Sequence, residues 1–99
     1  MSFQLDLRVG LIEQAEKHPK ADKLLVFQVK MGTERRQIIS GVAQSFKPEE
    51  MVGKKVIIVA NLKPRQLRGM ESKGMILFAD NGERVEIVST DAPDGEVVS

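Results

Sequence analysis

The sequence contains no cysteine, no tryptophan and no tyrosine. Without cysteine there is neither a disulfide framework nor a thiolate metal site. That fits a reducing compartment without requiring one. A single histidine, His18, leaves no histidine pair for a metal, and no cluster of aspartates around a glycine turn replaces it. No apolar run exceeds five residues, as in Val56 to Ala60, whereas a bilayer needs about 20. Residues 1–6 have neither the basic nor the apolar region of a signal peptide. The expectation is a cytoplasmic protein with no membrane contact.

Catalytic groups are equally sparse. His18 precedes Pro19 in a polar stretch and reads as a surface loop residue. Glu49 and Glu50 are adjacent, so they cannot face each other across a substrate; they read as first-turn residues of a helix. No nucleophile elbow and no phosphate-cradling glycine loop is present. Neither an enzyme nor a cofactor is expected.

What is present is ordinary in amount and uneven in distribution. The 99 residues suffice for one domain, which we assign to 1–99. The formal net charge is +1. Residues 54–79 carry Lys54, Lys55, Lys63, Arg65, Arg68 and Lys73 against Glu71 alone, a net of +5. Residues 80–99 carry Arg84 against six acids, a net of −5. At this level two readings stand: an anion-binding stretch, or two stretches that neutralise each other.

Alternation marks the strands. Leu5, Leu7, Val9 and Leu11 alternate with Asp6, Arg8 and Gly10, and the pattern slips at Ile12. Gly10 beside that slip predicts a bulge or bend. Residues 18–22 read as a loop. Leu25, Phe27, Val29 and Met31 form a second strand, and 37–40 a third that makes a hairpin with it. Pro48, Glu49, Glu50 and Gly53 are the start and stop signals of a short helix. Residues 54–60 are a β-branched strand, 61–73 a loop, 74–79 a strand, and Asp80-Asn81-Gly82 a turn before Val85 and Ile87. The remaining tail is polar. Three strands, a short helix and further strands predict an all-β, five-stranded OB-fold barrel with its helix between the third and fourth strands. A small SH3-like barrel is the rival, but it would not need the helix.

Residues 61–75 hold the positive chemistry. Lys63, Arg65, Arg68 and Lys73 suit phosphates; Asn61, Gln66 and Ser72 suit hydrogen bonds to backbone or base edges. Lys54 and Lys55 would add to the same field. A solvated basic loop without ligand is the plainer alternative. Single-strand binders need aromatic platforms, yet the four Phe are the only aromatics besides His18, and Phe27 and Phe78 fall on strand patterns. A folded RNA, recognised by shape and phosphates, fits better. Met70 and Met75 offer flexible apolar contacts.

Six motifs occur in order: Asp6-Leu7-Arg8-Val9-Gly10; His18-Pro19-Lys20-Ala21-Asp22-Lys23-Leu24; Gln37 to Val42; Pro48-Glu49-Glu50 with Gly53 to Val56; Val59-Ala60-Asn61-Leu62-Lys63-Pro64; and Gly69 to Leu77. Together, over about residues 5 to 90, they resemble the dimeric tRNA-binding domain. That domain occurs as a free-standing bacterial protein, as the C-terminal extension of methionyl-tRNA synthetase, and in synthetase-associated cofactors. The resemblance implies an OB-fold, a homodimer, and structure-specific binding to the outer corner of tRNA. It places Asn61, Lys63, Ser72, Gly74 and Met75 on the tRNA-facing surface. Family members commonly carry Gln where this chain has Lys73. The acidic ending, 91–99, matches more loosely, in a region that often takes part in dimer contacts. A secretion chaperone or protein-docking module of the same fold is the alternative.

Overall fold

The computed structural model describes residues 4–99; the reading of residues 1–3, Phe3 included, lies outside them. The alternating N-terminal pattern becomes one long strand, β1 (Leu7–His18). It pairs with β2 (Ala21–Met31), and β2 with β3 (Glu34–Ser40), all antiparallel. The expected loop at 18–22 shrinks to the turn Pro19-Lys20, because alternation extends through both strand ends. The predicted bulge is present. Leu11 and Ile12 pair with Lys30 and Val29, then Gln14 pairs with Gln28, leaving Glu13 as the extra residue.

Helix α1 (Pro48–Met51) lies between β3 and β4 (Lys55–Val59), as expected. Pro48 opens it, and Glu50 reaches back to accept the Lys47 N–H at 3.0 Å. Met51 is fully buried in the core, with Ile12, Leu25, Phe27, Ile38, Val56 and Ile58. Gly10 permits that density. A Cβ there would lie 2.2 Å from Ile58 Cδ1 and 2.6 Å from Val29 Cγ1.

The main sheet runs β3-β2-β1-β4-β7, where β7 is Met75–Ile76. Its two outer members are brought together by Lys73 N–H, which donates to Gln37 O at 2.8 Å, just before β7. The fold is thus the expected all-β OB type, but with more and shorter strands than its alternation indicates. The loop at 61–73 contains a hairpin, β5 (Arg65–Leu67) and β6 (Met70–Ser72). The strand expected over 74–79 breaks at Leu77 into β7 and β8 (Phe78–Asp80), and β8 pairs with β9 (Val85–Ile87). The polar tail ends in β10 (Val97–Val98), paired with Arg8 and Leu7 of β1. No helix of the described residues is long and apolar enough to cross a membrane.

Candidate nucleic-acid interface

The segment from Asn61 to Met75 leaves the end of β4 and returns as β7. Its shape is fixed from beneath by β3. Gln37 Nε2 donates to Glu71 O at 2.9 Å, and Arg36 Nη1 donates to Ala60 O at 2.5 Å and Lys73 O at 3.2 Å. These two positioning residues escaped the sequence reading because strand alternation says nothing about which loop a side chain reaches.

On this support Lys63, Arg65, Arg68 and Lys73 are exposed. Among the described residues, Lys63, Arg65 and Arg68 form no salt bridge, and Lys73 makes a long one, 3.7 Å, to Glu71. Such a surface pair is worth little, so four cations face solvent largely unneutralised. Lys63, Arg65 and Met75 also line a cleft of about 60 Å³ with Leu62, Leu67 and Gly74. Met75 is 45% exposed and leaves an apolar side chain open beside these cations.

The other expected residues lie elsewhere or are already engaged. Ser72 is 4% exposed. Its hydroxyl accepts the Ile39 N–H at 2.9 Å and donates to Gly74 O at 3.2 Å. It lies beneath the surface and shapes the loop. Asn61 is exposed, but Oδ1 accepts the Asp6 N–H at 2.9 Å and Nδ2 donates to Gln4 O at 2.7 Å. It ties down the chain before β1. Lys54 and Lys55 stand at the opposite end of β4, roughly 20 Å from Asn61 along an extended strand. Lys55 Nζ donates to Ala92 O at 2.8 Å, within the acidic tail. Their expected addition to the hairpin's field does not follow from this placement. His18 is a correction as well. It is 4% exposed rather than a surface loop residue, because Nε2 bonds Leu67 O at 2.9 Å and Nδ1 accepts the Lys20 N–H at 3.0 Å.

The described aromatic rings are occupied by packing. Phe27 is fully buried, and Phe46 and Phe78 stack on each other at 5.9 Å. None of these three rings is fully exposed, so a base would find little open face to stack on.

The chain is similar to known proteins over nearly all of its length. The chain is 52% identical to a methionine–tRNA ligase of Flavobacterium johnsoniae, across 97% of its own length but only 14% of that protein's. Its fold superposes on the crystal structure of a MetRS-related protein from Pyrococcus horikoshii, with a TM-score of 0.91, 35% identity and full coverage of both chains. The chaperone CsaA of Bacillus anthracis str. Ames shares the fold, with a TM-score of 0.85 over 96% of this chain and 90% of that one, at 23% identity. The family described as a putative tRNA binding domain matches residues 7–97. This chain belongs to that tRNA-binding domain family.

Proposed function

We propose that the chain binds folded tRNA without catalysing a reaction, through the basic surface of the β5–β6 hairpin and the cleft at Met75. The observation that carries this reading is the exposed set Lys63, Arg65, Arg68 and Lys73 on a segment braced by Arg36 and Gln37. Cations on a fixed support match a phosphate backbone of fixed shape, and the occupied phenylalanines argue for shape over base stacking. Met75 offers an apolar contact to a ribose or base. The 1–99 segment acts as one domain in the cytoplasm, either free-standing or as the tRNA-binding appendix of a methionyl-tRNA synthetase. Its resemblance to short stretches of methionine–tRNA ligases supports the second setting.

Charge reversal at Lys63 and Arg65 tests the surface. Both side chains are exposed, so Lys63→Glu/Arg65→Glu should keep the melting temperature. Affinity should fall by about tenfold or more for all tRNAs alike, since phosphate contacts carry no sequence information. Unchanged affinity would remove this surface from the account.

A further inference from the structure

Sulfur is confined to methionine in this chain, which has no cysteine. Four methionines lie among the described residues, and the fold treats them differently. Met51 and Met31 belong to the core, at 0% and 7% exposure. Met70 is half-buried beside the turn of the β5–β6 hairpin. Met75 alone among them is exposed, at 45%.

That exposure is fixed by the backbone. Met75 pairs with Val59 of β4, and strand alternation sends its neighbour Ile76 inward, to 3% exposure. The residue before it is packed closely. Gly74 has φ of +145°, and a Cβ there would lie 3.1 Å from Val59 O and 3.3 Å from Ile38 Cδ1. The Met75 side chain therefore lines the cleft with Leu62, Lys63, Arg65 and Leu67 while staying open to solvent. An oxidant in solution reaches this methionine, and what it alters is the surface assigned to RNA.

We propose that Met75 is a site of reversible oxidation by a peroxide, and that its sulfoxide weakens RNA binding at this face. The inference rests on the tRNA-binding reading and adds regulation to it. In the forward step the thioether sulfur attacks one oxygen of hydrogen peroxide. An S–O bond forms, the O–O bond breaks, and the second oxygen leaves with both protons as water. Sulfur loses two electrons and the peroxide gains them. A dithiol reductase reverses the step, releasing the oxygen as water and forming one disulfide on the reductase.

The product differs from the thioether in polarity. A thioether offers a ribose or base a flexible apolar contact. A sulfoxide is polar and chiral, and its oxygen accepts hydrogen bonds. Beside Lys63 and Arg65 that oxygen competes with phosphate for the same donors, and covering it with an apolar sugar face costs the hydrogen bonds it makes to water. Oxidation of one atom thus acts on the apolar and the charged parts of the surface together. Met31 and Met51 are shielded by the core, so the fold survives a dose that converts Met75.

The test follows hydrogen peroxide treatment of the full chain by peptide mass spectrometry, melting temperature and tRNA affinity. Met75 should be oxidised before Met70, and Met31 and Met51 only on unfolding. Affinity should fall about fivefold in step with the Met75 sulfoxide, at an unchanged melting temperature. Methionine sulfoxide reductase with dithiothreitol should restore it. Saturating tRNA should slow Met75 oxidation, because the RNA covers the sulfur. Met75→Leu has no sulfur to oxidise there, so its own affinity should be the same before and after the dose. Parental affinity with Met75 fully oxidised, or an equal peroxide effect in Met75→Leu, would overturn the switch and leave the tRNA reading in place. So would Met70 reacting first. A parent that binds no tRNA at low salt before any treatment would overturn that reading, and the switch with it.

Discussion

At Ser72 a side chain that reads as an RNA contact is turned inward. Its hydroxyl accepts the Ile39 N–H of β3 in a buried hydrogen bond. Removing the hydroxyl leaves that buried donor alone, which costs about 1 to 3 kcal/mol. Ser72→Ala should therefore melt several degrees lower, with tRNA affinity changed little in the fraction that remains folded. An unaltered melting curve with lost binding would return Ser72 to the RNA surface. Asn61 and His18 teach the same lesson. The sequence identifies them as polar and motif-bound, but their partners Asp6, Gln4 and Leu67 lie 49 to 57 residues away. No local pattern reports a contact across that separation. The exposed cations are different: Lys63, Arg65, Arg68 and Lys73 were legible because long charged side chains on a surface loop rarely go anywhere but solvent.

The elements divide in the same way. β1, β2, β3 and β4 were legible because each has enough residues for alternation or a β-branched run to show. β5 to β10 have two or three residues each, too few for a period. The tail is the clearest case. Its composition is polar, yet Gly95 N–H donates to Val9 O at 2.7 Å, and Gly95 packs on Gly32 so closely that a Cβ would meet Gly32 N at 2.9 Å. Asp94 secures it. Its carboxylate accepts the Gly32 N–H at 2.8 Å and lies 3.4 Å from Lys30 Nζ. The Gly32 N–H first, and then the Lys30 ammonium, hold the Asp94 carboxyl below its ordinary value of 3.8, against partial burial. A carboxyl depressed by folding stabilises the folded form fully above that ordinary value and loses the contribution as pH falls through the lower one. Protection of the Gly32 and Gly95 amides, measured against their intrinsic exchange rates, should therefore be high at neutral pH and fall below about pH 4. Equal protection at neutral pH in Asp94→Asn would show that the carboxylate is not what holds the tail.

For the whole molecule, we infer that the tail edge is where a second copy docks. Among the described residues β10 pairs with β1 alone, and Val97 within it and Leu5 ahead of β1 are 58% and 53% exposed. An open strand edge flanked by apolar side chains invites pairing. Two-fold symmetry would present two hairpin surfaces to one RNA. Sedimentation should give a dimer for the parent and a monomer for Val97→Asp, and the monomer should bind tRNA more weakly. A parent that sediments as a monomer at tens of micromolar would contradict this assembly. The central claim, recognition of folded tRNA by charge and shape, is tested most directly by binding of total tRNA across a salt series, with single-stranded and duplex RNA as competitors. The account predicts tight binding that the competitors displace poorly. Its logarithm should fall linearly with that of salt, by about 0.7 to 0.9 per phosphate contact. Absence of tRNA binding at low salt, or equal displacement by single-stranded RNA, would contradict it.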